Sequence, residues 1–344
     1  MADLLTNLSR RDFLTNKLLG AFLGLTGAQH EHHQRIDPEI KSAHQHEADA
    51  GTADSEAIKQ ALQQRVVRLQ GFDPMRYLTS FDYGKESRLT GGQVLREFKI
   101  VARDVNLEIA PGIFFPAWTY NGTVPGPTLR CREGDLVRIH FSNASISDHT
   151  IHFHGIHPAN MDGATEVVKP NESYTYEFTA EPFGLQFYHC HMPPVGLHFN
   201  RGLFGALIID PKTPRAKAKE IVMIAHGWDV NFDCRNELYA VNGPANFYRD
   251  NPIAIRQGEP VRIYFLNALE FEPINSFHLH ANFFQVYKTG SQLNNAEFTD
   301  LVTLSQAERC IIEFTYNFPG RYMFHAHQNS FAEMGWMGHF EVTE

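Results

Sequence analysis

Long apolar runs, paired cysteines and an excess of positive charge are all missing from this sequence. The four cysteines, Cys131, Cys190, Cys234 and Cys310, form no Cys-x-x-Cys pair and follow no framework spacing, so no disulfide scaffold is implied. Lys and Arg number 30 against 39 Asp and Glu, a formal net charge of -9, which argues against nucleic acid as a partner. The apolar run Leu18 to Leu25 is too short to cross a bilayer. No long helical period competes with the strand patterns described below. What is present is a chain of 344 residues, 12% aromatic, long enough for two domains and a leader.

Ser9-Arg10-Arg11-Asp12-Phe13-Leu14, with Lys17 and that apolar run behind it, is a twin-arginine export signature, and Thr26-Gly27-Ala28 precedes a cleavage point. Residues 1–28 are therefore read as a signal peptide and the protein as periplasmic or secreted; an arginine pair on an ordinary N-terminal helix is the bland alternative. Residues 29–93 read as a polar spacer carrying His30, His32, His33, His44 and His46, with one short helix over 55–69. A solvated spacer explains these histidines as well as loose metal capture does, and none is placed in a site.

The folded part is expected to start near Val94, and it is repeated. Arg132-Glu133-Gly134-Asp135-Leu136-Val137-Arg138-Ile139-His140-Phe141 matches Arg256-Gln257-Gly258-Glu259-Pro260-Val261-Arg262-Ile263-Tyr264-Phe265, each the alternating pattern of a half-buried strand after a glycine turn. Tyr174–Phe178 likewise matches Cys310–Phe314, and Asn121-Gly122 and Asn242-Gly243 mark corresponding turns. The fold class is all-β: two Greek-key β-sandwiches, 94–211 and 220–344, joined by a Pro- and Lys-rich segment. By the same alignment His140 stands opposite Tyr264 and is a strand residue. Cys131 and Cys310 are packed, half-buried thiols, Cys234 lies in a polar loop, and His157, His226 and His339 are structural.

Chemistry concentrates in Phe187-Tyr188-His189-Cys190-His191, with His198 beyond a Pro- and Gly-containing loop. Strand alternation turns His189 and His191 to one face and Cys190 to the other, which serves an imidazole site and a thiolate site together. His149, Cys190 and His198 have the composition of a His₂Cys blue-copper centre. His152 and His154 upstream join His189 and His191. The second copy reads His278-Leu279-His280 and His325-Ala326-His327, with Asn275 in place of His149 and Ala326 in place of Cys190. It keeps both His-x-His pairs and loses the thiolate site.

These motifs, over 94 to the C-terminus, resemble those of multicopper oxidases, in particular the two-domain kind with blue copper in the first domain. The resemblance implies cupredoxin-like domains and four coppers per chain: one type 1, one type 2 and two type 3. It assigns His149, Cys190 and His198 to type 1, His152 and His278 to type 2, and His154, His189, His191, His280, His325 and His327 to the type 3 pair. Asp162, in Asn160-Met161-Asp162-Gly163, matches an acidic residue that moves protons in this family; from the residues alone it is equally a turn residue. Leu203, five residues after His198, stands where many blue sites have methionine and is read as a non-ligating neighbour that raises the potential, Met192 being wrongly directed to substitute.

The implied reaction is one-electron oxidation of a phenolic or metal-ion donor at an exposed edge of His198, coupled through Cys190 to reduction of O₂ to water. Met161, Met192, Met334 and Met337 would suit Cu(I) or simply fill a core. Copper nitrite reductase is the alternative, though its copper site generally lacks the second histidine of each pair; a copper carrier would not explain Cys190 between two histidines. Similar two-domain oxidases and nitrite reductases form trimers, so a homotrimer with clusters shared between chains is expected.

Overall fold

The computed structural model describes residues 72–344. The twin-arginine motif, the His-rich stretch and the helix expected at 55–69 lie outside the described residues.

The first sandwich comprises β1 (Phe81–Asp82), β2 (Lys85–Arg88), β3 (Val94–Ala110), β4 (Ile113–Tyr120), β5 (Thr128–Arg132), β6 (Leu136–Asn143), β7 (His152–Phe153), β8 (Ser173–Thr179), β9 (Gly184–His189) and β10 (Phe204–Asp210). One sheet runs β1-β5-β10-β9-β7; the other runs β2-β3-β6-β8, with β4 paired to β3. The second comprises β11 (Lys219–Trp228), β12 (Leu238–Val241), β13 (Ile253–Arg256), β14 (Val261–Ala268), β15 (Ile274–Leu279), β16 (Phe284–Lys288), β17 (Glu297–Thr299), β18 (Leu301–Ser305), β19 (Arg309–Phe314), β20 (Gly320–His325) and β21 (Met337–Thr343). Its sheets run β12-β11-β14-β19-β16-β17 and β13-β21-β20-β15-β18. Among the described residues there are four short α-helices: α1 (Pro74–Tyr77), α2 (Val195–Asn200), α3 (Phe247–Asp250) and α4 (Asn329–Glu333).

The repeat read from the sequence reappears as ladder register. Phe141 pairs with Tyr174 and Val137 with Phe178; in the second copy Phe265 pairs with Cys310 and Val261 with Phe314. Asn121-Gly122 and Asn242-Gly243 both take positive φ, as a tight turn of this kind requires.

Burial separates the two copies. In β6, Val137, Ile139 and Phe141 are buried and Arg138 and His140 are not, the half-buried pattern the alternation implies. In β14 every residue is buried, because its second face packs on the first sandwich. Tyr264 and Leu266 join Val222 and Ile224 of β11 against Phe204, Ala206 and Ile208 of β10, a third apolar cluster between the two interiors. Cys131 and Cys310 are fully buried rather than half-buried, lying inside the first and second cores.

Order begins before Val94. Asp73 caps α1 by accepting the Met75 N–H, Phe81 and Asp82 pair with β5, and the Leu78 carbonyl accepts the Val222 N–H. Tyr77 donates to the Gly126 carbonyl and Tyr248 to that of Pro74. Residues 72–82 thus strap both sandwiches. Their partners lie far away in sequence, so the stretch shows no period of its own.

A polar knot closes the junction. Glu220 of β11 accepts from Arg130 of β5, Arg262 of β14 and the Tyr264 hydroxyl, each at 2.8 Å. Burial alone would raise its pKa, but hydrogen bonds from Arg130 and Arg262 outweigh that and hold it at about 2. A carboxyl depressed from about 4.3 in the unfolded chain stabilises the fold at neutral pH, and that contribution is lost as pH falls through 4 toward 2. Glu220→Gln should therefore cost about 3 kcal/mol, since it leaves two buried guanidiniums undercompensated. Chemical denaturation at pH 7 and pH 3 checks this, the gap between variant and parent narrowing at the lower pH.

Candidate metal centre

The first constellation is buried in the first sandwich. His149 is held in a loop by reciprocal backbone bonds with Val168, Cys190 directly follows β9, and His198 sits in α2. The Nδ1 atoms of His149 and His198 are 3.2 Å apart and lie 4.0 and 3.4 Å from Cys190 Sγ. His149 Nε2 is taken by Ser145 Oγ at 2.9 Å, which turns Nδ1 toward the thiol. Two imidazole nitrogens and one sulfur therefore converge, the donor set that soft copper sites use.

Burial lowers the pKa of His149 to about 4 and of His198 to about 3, so both rings are neutral and ready to ligate. Burial raises the Cys190 thiol, opposed by hydrogen bonds from the Thr150 and Met192 backbone. A bound cation reverses that balance in favour of thiolate. Leu203 is fully buried and its carbonyl accepts the Cys190 N–H at 2.9 Å. Met192 packs against the first core.

His198 is buried rather than openly exposed. It is 5% exposed, with the Trp118 ring 4.5 Å away and the Arg201 guanidinium stacked 4.4 Å from that indole. Sequence spacing brought His198 to Cys190 and His149, as the structure has it, but Trp118 arrives from β4, and nothing local to His198 announces it.

Eight other imidazoles form two quartets of one design. In the first, β7 pairs His152 with His189 of β9, and His154 Nε2 lies 3.2 Å from His189 Nε2. In the second, β15 pairs His278 with His325 of β20, and His280 Nε2 lies 2.9 Å from His325 Nε2. His189 Nδ1 donates to the Cys190 carbonyl and His325 Nδ1 to that of Ala326. His152 Nδ1 donates to the Asp162 carbonyl and His278 Nδ1 to that of Asp300, both at 2.8 Å. The His191 N–H donates to Thr150 Oγ1 and the His327 N–H to Ser276 Oγ. Fixing His152, His189, His278 and His325 at Nδ1 leaves the Nε2 of each free to ligate.

Asp300 is the residue that sequence reading missed. Asp162 Oδ1 is 3.3 Å from His152 Nδ1, and Asp300 Oδ2 is 3.9 Å from His278 Nδ1. Ten residues separate His152 from Asp162 but 22 separate His278 from Asp300, so only the register exposes the match. His157 Nε2 donates to the Phe153 carbonyl and lies 3.8 Å from Asp162 Oδ1. His226 accepts the Gly243 N–H and His339 Nδ1 reaches the Arg249 carbonyl, both structural. The two quartets are separate groups within the chain, so His152 and His278 are not brought to one point.

The place in the second sandwich that corresponds to the thiol site is filled. Ala326 donates to the Trp336 carbonyl as Cys190 donates to Leu203, so Trp336 matches Leu203 and Phe331, five residues earlier, matches His198. The fully buried Trp336 donates its indole N–H to Asn275 Oδ1 at 3.0 Å. A third ligand position is therefore lost beyond the two that the sequence displays.

Two family models described as multicopper oxidase match the chain, over residues 104–214 and 218–344. A crystal structure of a multicopper oxidase is 49% identical with a TM-score of 0.78, covering 79% of this chain and 98% of that one. The copper nitrite reductase from Nitrosomonas europaea is 27% identical with a TM-score of 0.66, over 73% of this chain and 94% of that one. The copper-containing nitrite reductase of Neisseria meningitidis serogroup A is 28% identical over 245 residues, 65% of this chain and 63% of that protein's length. The chain belongs to the multicopper oxidase family, whose members bind copper, and its sandwiches are cupredoxin-like.

Copper removal should expose the cost of four buried rings. Burial lowers His149 and His189 to about 4 and His154 and His198 to about 3, against about 6.5 when unfolded. The unfolded chain then binds more protons, so the stripped protein loses stability as pH falls from 6.5 toward 4. Thermal unfolding of chelator-treated protein between pH 7 and pH 4 should show Tm dropping steadily; a level Tm would contradict the burial of neutral rings.

Proposed function

We propose that the protein is a laccase-like oxidase that couples one-electron oxidation of a phenolic or metal-ion donor to four-electron reduction of O₂ to water. The observation that carries this is the completeness of all four His-x-His pairs in two quartets with facing Nε2 atoms. His149, Cys190 and His198 would hold one copper; His152 and His278 a second; His154, His189, His191, His280, His325 and His327 two more. Copper, when bound, supplies one-electron redox chemistry at the thiolate site and O₂ reduction at the histidine cluster.

The chain does the rest. Cys190 is bonded through the backbone to His189 and His191, so the sites are joined by peptide links rather than space. The Thr150 N–H, 3.4 Å from Cys190 Sγ, steadies the sulfur, and Thr150 Oγ1 holds His191 in the same gesture. Asp162 and Asp300 place carboxylates behind His152 and His278, where protons for water formation are needed. A donor works against the layer of Trp118 and α2 that covers His198.

Nitrite reduction is the second reading, favoured by the relatives that carry that name. Metal analysis with steady-state assays separates them: four coppers per chain, O₂ uptake with a phenol, Cu(I) or Fe(II), and no NO from nitrite. Cys190→Ser should end O₂ uptake with every donor. Two coppers per chain with nitrite turnover would replace the oxidase reading by the reductase one.

Each quartet would be half of a cluster, and the second opens to the surface at His280, near the exposed Phe283 and Phe298, whose rings are 5.2 Å apart. The quartets would complete one another between neighbouring chains in a homotrimer, after export by the twin-arginine route. Sedimentation of the loaded protein should give a trimer whose dilution to monomer abolishes O₂ uptake. A fully active monomer would refute the shared cluster.

A further inference from the structure

A cavity of about 530 Å³ opens where the first sandwich, the linker 211–218 and the second sandwich meet, and no metal-site residue lines it. Its wall carries Arg96, Arg130 and Arg132 from the first sandwich, Arg215 and Lys217 from the linker, and Arg262 from the second. Only two carboxylates, Asp210 and Glu220, line it with them. Positive charge is thus concentrated in a chain of formal net charge -9.

The ion pairs leave cationic capacity unspent. Glu220 is shared between Arg130 and Arg262, Asp210 takes the Arg130 fork through both oxygens, Glu313 is shared between Arg262 and Arg215, and Arg96 is paired with Asp135 and Glu86, so the unspent charge is that of Arg132 and Lys217. Arg132 and Lys217 make no ion pair among the described residues. Arg130 and Arg262 are nearly fully buried and fixed by those pairs, so their forks are preorganised rather than loose surface charges. Arg215 is stacked 5.1 Å over Tyr287 and gives Nη2 to Glu313, while its Nη1 is buried without a hydrogen-bond partner. An unmade buried donor costs about 1–3 kcal/mol, and here it belongs to a guanidinium on the cavity wall.

Planar guanidinium forks match the paired oxygens of phosphate and carboxylate, and several together favour ligands bearing more than one negative charge. The volume exceeds that of a single inorganic ion and admits a small organic polyanion. We infer that this cavity binds a small multivalent oxyanion, of the phosphate or polycarboxylate class, through Arg132, Arg215 and Lys217, at the junction of the two sandwiches. A ligand so placed touches three parts of the chain at once and stabilises their arrangement by mass action.

Calorimetric titration of the copper-loaded full chain with inorganic phosphate and, separately, with tricarballylate tests this, against sodium chloride at matched ionic strength. Both probes chelate copper weakly, and copper content is measured after each titration. Saturable binding at one site per chain, with a raised Tm, is the expected result. Binding of phosphate alone or tricarballylate alone identifies which class the site takes. The double variant Arg132→Gln, Lys217→Gln removes only unpaired cations and should weaken binding by about tenfold with the fold intact. Arg215→Gln should weaken it independently. Heats equal to the chloride control for both probes, or undiminished binding in the double variant, overturn the inference.

Discussion

Everything at the metal centre depends on the pleat of one strand. Along β9 and the two residues beyond it, side chains alternate between two faces. Leu185 and Phe187 point to the cluster between the sandwiches, where His189 packs 5.0 Å from Phe187, and Tyr188 and Cys190 point into the first core. A shift of one residue would put the imidazoles inside and the thiol outside. Register is therefore guarded. Gly205 stands opposite Tyr188, and a Cβ there would fall 2.3 Å from the tyrosine ring, so only glycine lets the strands close.

The two sandwiches show what duplication preserves and what it discards. The ring-fixing bonds survive in both copies: Nδ1 to Cys190 or Ala326, Nδ1 to Asp162 or Asp300, backbone N–H to Thr150 or Ser276. The interior behind them diverges, with His149, Cys190, His198 and Leu203 in one copy and Asn275, Ala326, Phe331 and Trp336 in the other. Trp336 and Asn275 satisfy each other, so the second interior is packed without an orphaned polar group at that point.

The clustering of the histidines and the repeat were legible because both are short-range patterns: His-x-His needs only a strand, and the alternation of β6 needs only one covered face. What escaped depends on contacts between distant residues. The alternation of β14 looked half-buried because the first sandwich, which covers Tyr264 and Leu266, lies elsewhere in the sequence. The strap at 72–82 escaped for the same reason, its anchors being Gly126, Val222 and Tyr248. His198 was found by spacing, yet its burial under Trp118 comes from β4, far from the motif. Asp300 hid behind a loop of different length from its counterpart.

The plugged interior of the second sandwich also fixes the wiring of any assembly built from these chains. With Trp336 and Phe331 where a thiolate centre would stand, a cluster completed by two neighbours would be fed through one Cys190 and never through two. On the proposed ring, each shared cluster would then have a single inlet. Loss of one thiolate would silence one cluster and leave the others running, so damage would accumulate in proportion rather than all at once.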